Sequence, residues 1–195
     1  MNHLKKIIVV VCISIFSFSC GEQENQIAPA QTQVANNDVS QDKEGVVRVF
    51  DVPEMISLCL LDSCNMNEAP SRFSKIFSTL ESDLTAIDAQ LDGPRGLISY
   101  NNNPKNFKFE CVLLIKEIPK KQPKNCQIVV LEATKMLIYN SYGDHKNLSS
   151  AYDNIKNYMA SQHLTQNGPM REFYITDPST EKNPQKWLTR IMLPI

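Results

Sequence analysis

The sequence predicts an α+β fold: duplicated β-α-β-β units joined into one curved antiparallel sheet, with two helices on one face. Three observations predict it. Two stripes of helical period lie among runs of strand character. The order strand, helix, strand, strand is read twice along the chain. Turn signals recur at matching places, Gly93-Pro94 with Gly168-Pro169 and Asn103-Pro104 with Asp177-Pro178, roughly 75 residues apart. Each half alone would be one helix on a three-stranded sheet, and two halves can share a single antiparallel sheet. The face away from the helices is then solvated, covered by a partner, or cupped around a ligand.

The chain has 195 residues and a net charge of -1, so no basic footprint points to nucleic acid. Residues 1–20 stand apart from the fold. His3, Lys5 and Lys6 precede an apolar run, Ile7–Phe18, too short to span a bilayer and suited to a secretory signal. It ends in S-F-S-C-G, which resembles a bacterial lipoprotein signal peptide, with Cys20 as the lipidated first residue of the mature protein. Residues 21–45 are rich in Gln, Asn, Glu and Ala and cannot bury enough apolar surface to order. They read as a tether with a reach of roughly 25–30 Å. The expected location is the cell envelope, with the domain at 46–195 held to a membrane by its lipid anchor.

Residues 46–61 have strand character, interrupted by Pro53, which suits an edge or a bend. Residues 70–91 read as a helix, because Phe73, Ile76, Phe77, Leu80, Leu84, Ile87 and Leu91 draw one apolar stripe. Pro70 and Ser71 mark its start and Asp92-Gly93-Pro94 its stop. Residues 95–101 and 107–115 are strands around the turn N-N-N-P-K-N. Lys116 to Asn125 reads as a solvated basic loop. Residues 126–141 are strand again, followed by a helix over 147–164 with Leu148, Ala151, Tyr152, Ile155 and Met159 on its stripe. Strands at 170–176 and 187–194 close the chain.

The domain keeps four cysteines, Cys59, Cys64, Cys111 and Cys126. An exported protein can form two disulfides from them, Cys59 with Cys64 and Cys111 with Cys126; buried free thiols fit the sequence equally. The chain has no C-x-x-C, and His145 and His163 lack ligand spacing, so no metal and no cofactor are expected.

The strand at 170–176 carries the chemistry. Alternation puts Glu172, Tyr174 and Thr176 on one face and Arg171, Phe173 and Ile175 on the other. A carboxylate beside a tyrosine is unusual on a plain core face. Tyr139 and Trp187 are further aromatic candidates. Glu110, a second strand carboxylate, reads as belonging to an exposed edge.

The stretches G-P-M-R-E-F-Y-I-T-D-P at 168–178 and W-L-T-R-I-M-L-P-I at 187–195 resemble the GyrI-like small-molecule-binding domain, also called the bacterial effector-binding domain. Y-N-S-Y-G-D-H-K-N-L-S-S-A-Y at 139–152 and G-P-R-G-L-I-S-Y-N-N-N-P at 93–104 support it. The resemblance covers residues 46–195. It implies a duplicated fold with a central groove, a buried glutamate that falls on Glu172, and flat, apolar, often cationic ligands. Some stand-alone members resemble hydrolases of strained electrophiles. No DNA-binding helix pair is read here, so the regulator role does not carry over. Arg190 stands where the family often has a glutamate, which changes the charge of the strand end.

The reading is therefore an envelope-anchored binding module for an apolar or cationic amphipathic ligand, contacted by Glu172, Tyr174, Tyr139 and Trp187. Desolvation favours the neutral carboxyl of Glu172, and a cationic ligand would restore its charge. Binding is favoured over catalysis, because the sequence offers no Ser-His-Asp set. A hydrolase would have to use Glu172 as its base. A protein-interaction module that docks through the open sheet face is the third class.

Overall fold

The computed structural model describes residues 45–195. The expected signal segment, with Cys20, and the expected tether up to residue 44 lie outside the described residues. Among the described residues, two α-helices and eight strands follow in the order β1 (Val47–Val52), β2 (Met55–Cys64), α1 (Ala69–Ala86), β3 (Leu91–Ser99), β4 (Phe107–Ile115), β5 (Gln127–Leu131), β6 (Thr134–Tyr142), α2 (Ser149–Ser161), β7 (Met170–Tyr174) and β8 (Leu188–Pro194). All strands join one antiparallel sheet in the order β1-β6-β8-β7-β3-β4-β2-β5. The fold is α+β, one curled sheet carrying two helices.

The sheet order reads the same from both ends when the halves are exchanged. β3 and β7 meet at its centre, and each half lends its first strand to the other: β1 pairs with β6, and β5 with β2. Pro53-Glu54 separates β1 from β2, and Glu132-Ala133 separates β5 from β6. Val52 pairs with Thr134, and three residues further along both strands Met55 pairs with Leu131, so the ladder resumes in register after the bend. Each stretch expected to be one strand, 46–61 and 126–141, is thus two strands around a bend. Pro53 falls at the break in the ladder, where its missing N–H removes no rung.

Each helix packs on strands of its own half. Ile76, Phe77 and Leu80 of α1 meet Leu58, Leu97, Phe109 and Cys111. Phe73 also stands edge-on to Phe109, with ring centroids 4.8 Å apart. Ala151 and Ile155 of α2 meet Leu137, Ile191 and Leu193. The other sheet face is largely packed, with Phe50 and Leu61 left exposed towards its edges. Val52, Met55, Cys59, Ile98, Val112, Leu114, Met136, Phe173 and Met192 fill the inside of the curl.

Two expectations need correction. α1 ends at Ala86, not at residue 91: Asp88 takes a left-handed φ of 59°, and Leu91 opens β3 and is exposed. The Asp92-Gly93-Pro94 signal instead marks a register shift between Leu91 and Arg95. Glu110 is not on an edge, because β4 lies between β2 and β3, and it is buried. Of the two states that the sequence left open for the four domain cysteines, the structure shows free thiols. Cys59 faces the inside of the curl and Cys64 the α1 side, as an odd spacing on one strand requires, so those two cannot join.

Candidate functional site

Alternation along β7 decides what each side of the sheet receives. Phe173 and Ile175 turn into the curl, and Tyr174 packs with the α1 cluster. Glu172 shares the side of Tyr174. Its cross-strand partners are Leu97, which belongs to the α1 cluster, and Ile191, which belongs to the α2 cluster. The carboxylate therefore stands at the seam between the two helix-covered regions.

Glu172 is 4% exposed. The hydroxyl of Tyr152, from α2, donates to its Oε1 at 2.5 Å. Burial pushes the Glu172 carboxyl up from its ordinary value, and the hydroxyls of Tyr152 and Tyr174, which favour the charged form, offset part of this. The same arrangement drives both tyrosines upward, by burial first and then by the carboxylate beside them. The hydroxyls stay protonated and act as donors to the acid.

A polar aromatic path leads away from Tyr174. The His145 ring lies 5.1 Å from that of Tyr174, and it stacks on Trp187 at 5.1 Å with an interplanar angle of 25°. His145 Nδ1 hydrogen-bonds Thr189 Oγ1 at 2.8 Å, while its Nε2 is buried without a hydrogen-bond partner among the described residues. Burial holds the imidazole below its usual pKa, with Asp144 opposing. Trp187 donates its indole N–H to the Glu181 carbonyl at 2.7 Å.

Of the four residues proposed from sequence to contact ligand, Glu172 and Tyr174 share one cluster. Trp187 joins it only through His145. Tyr139 does not join it. It lies in the same row as Glu172 but two strands over, beyond Ile191, on the order of 10 Å away. Its hydroxyl accepts from Asn154 Nδ2 at 3.0 Å, under α2. Sequence reasoning missed Tyr152 and His145. Tyr152 carried a signal, since a tyrosine on an apolar helical stripe must find a partner for its hydroxyl. His145 sits in the loop after β6, and nothing local marks it.

Among the described residues no cluster of His, Cys, Asp or Glu is arranged to hold a metal ion, and no helix is long and apolar enough to cross a membrane. What the seam offers is one desolvated acid, two hydroxyl donors, an imidazole and an indole. These groups stand on a curled, duplicated antiparallel sheet that carries two helices. Residues 46–195 match the model of the GyrI-like small molecule binding domain, and the chain belongs to that family.

By fold the chain is similar to the EcmrR C-terminal domain, with a TM-score of 0.69 at 17% identity, covering 76% of this chain and 96% of that one. It is similar to a hydrolase from Listeria innocua, with a TM-score of 0.60 at 15% identity, covering 79% and 93%. It is also similar to SAV2435, solved bound to tetraphenylphosphonium, with a TM-score of 0.51 at 13% identity, covering 76% and 93%. The chain spans 56% of the EcmrR chain seen in a complex with DNA. At these identities the likeness is one of fold. By sequence, no curated protein matches the chain.

Proposed function

We propose that the domain takes an apolar or cationic amphipathic molecule at the seam between its helix-covered regions, with Glu172 as the charge partner. The single observation that carries this is a carboxylate 4% exposed, within reach of two tyrosine hydroxyls and, among the described residues, in no ion pair within 4 Å. Burial costs such a group its hydration, and a lipophilic cation placed beside it returns that energy as charge attraction and cation–π contact. Tyr152, Tyr174, His145 and Trp187 supply the aromatic surface. A neighbour of the same fold was solved with a lipophilic cation, which supports the choice of ligand class.

The chain contains a single tryptophan, so its fluorescence reports on this site alone. Titration with tetraphenylphosphonium should give a saturable change, and Glu172→Gln should weaken the affinity at least tenfold. Equal affinity in the variant would remove Glu172 from the site.

The proposal extends to the envelope: Cys20 carries lipid, and the domain hangs from it on residues 21–45. Mass spectrometry of the mature N-terminus checks this. A chain beginning at Cys20 with added acyl mass supports it, and a chain begun elsewhere without lipid removes the anchor.

A second reading, hydrolysis of strained electrophiles, has its support in the same desolvated acid, which could serve as a general base. Turnover of an epoxide or an activated lactone, abolished by Glu172→Gln, would favour it over binding alone.

A further inference from the structure

The residue before Glu172 faces the other way. Arg171 turns into the curl, where its cross-strand partners are Ile98 and Met192. It is 9% exposed, and its Nε and Nη1 are buried with no hydrogen-bond partner among the described residues. Among the described residues it enters no ion pair within 4 Å. A guanidinium cannot relieve burial by losing its proton near neutral pH, so two of its nitrogens point at an unmet demand for an acceptor. An unpaired buried charge is among the costliest features a core can carry.

The groups facing it are few. Glu110 stands in the same cross-strand row, beyond Ile98, and is engaged by the hydroxyl of Tyr100 at 2.8 Å. Arg190 stands diagonally across on β8, on the same face, and its Nε donates to Asn140 Oδ1 at 3.1 Å. Diagonal neighbours on adjacent strands lie roughly 7–8 Å apart, a span that one small anion can bridge. Tyr100, 45% exposed, marks the rim of the curl beside these groups. Basic groups outnumber acidic ones here, and their setting is otherwise apolar.

We propose that the inside of the curl holds a second binding site, for a small oxyanion such as a carboxylate or a phosphate group, with Arg171 as its principal donor and Arg190 beside it. The site lies on the opposite sheet face from Glu172 and does not depend on the function proposed for that residue. Arg171 binds the anion through charge-assisted hydrogen bonds. Glu110, held by Tyr100, limits the charge that the site accepts, so a monoanion is preferred to a dianion.

The test is thermal unfolding of the full chain with sodium acetate or inorganic phosphate added at constant ionic strength. Acetate tests the carboxylate and phosphate the phosphate group. The wild type should melt higher as either anion is added, because a ligand that binds only the folded state stabilises it. Arg171→Met should lose that response and melt higher than the wild type in anion-free buffer, since an unpaired buried charge is gone. Arg171→Lys should keep a weakened response, and Glu172→Gln should keep the full one. A rise of equal size in Arg171→Met would be a general salt effect and would overturn the proposal. Should Arg171→Met not fold, calorimetric titration of the wild type decides: heat of binding from either anion supports the site, and none from both overturns it.

Discussion

Leu97 and Glu172 face each other across β3 and β7, and they are also equivalent positions in the two halves. Each stands four residues past the glycine of its own Gly-Pro pair. The axis relating the halves passes between them. One side presents an alkyl group and the other an acid, so a nearly symmetric seam receives a single charge.

That acid gives stability a pH dependence of known sign. Its folded pKa is raised, so the folded state binds the proton more tightly than the unfolded chain. Stability should therefore fall as pH rises from the ordinary value of 4.5 toward the folded value, and level off above it. Glu172→Gln should melt a few degrees above the wild type at neutral pH, the size that about 1 kcal/mol produces in a domain this long. The two should converge below the ordinary value. Melting curves across pH check this, and parallel curves would contradict it.

Tyr152→Phe removes a donor that favours the carboxylate of Glu172. A hydrogen bond to a charged group contributes about 1.5–3 kcal/mol, so the variant should lose roughly that much wherever the acid is ionised. At pH below the carboxyl range the loss should shrink. Denaturant titration at two pH values measures the difference.

Gly96 lies against the ring of Phe173, where an added Cβ would come within 2.6 Å of the ring and 2.9 Å of Val112. Both neighbours belong to the packed interior of the curl. Gly96→Ala should cost about 1–3 kcal/mol by overpacking. Adding Phe173→Leu should recover part of the loss, as a double-mutant cycle would show.

Asp83 fastens a loop to α1. Its carboxylate accepts from the Asn125 amide N–H at 2.6 Å, from Asn125 Nδ2 at 2.9 Å and from the Cys126 N–H at 3.1 Å. Burial works to raise its pKa, but these bonds outweigh it and hold the carboxyl below 3.8. Its contribution is present above that value and lost as pH falls through the folded one. Asp83→Ala should cost about 2–3 kcal/mol, since it strands backbone donors. Hydrogen exchange at Asn125 and Cys126 should rise with it.

The parts of the fold that rest on local chemistry were legible in the sequence. The Gly-Pro pairs gave away the repeat, α1 showed its stripe from Phe73 to Leu84, and alternation placed Glu172 and Arg171 on opposite faces. What depends on partners far away along the chain was not. Glu110 looked like an edge residue because nothing near it says that β4 is flanked on both sides. The end of α1 was missed because Asp88, not glycine, takes the left-handed conformation. At the site, Glu172 with Tyr174 was a two-residue pattern on one strand. Tyr152 and His145 reach them from a helix and a loop whose docking is a tertiary fact. Tyr139 shares their face, and only strand order shows that Ile191 stands between.

The exchange of first strands has a consequence for how this molecule can come apart. Cut between β4 and β5, either fragment would keep an outermost strand whose rungs belong to the other, so neither is a complete folding unit. Two copies of a single half could restore every pairing by crossing arms, and the chain reads as such a dimer written in one piece. Melting should accordingly be a single event, with no half surviving the loss of its twin.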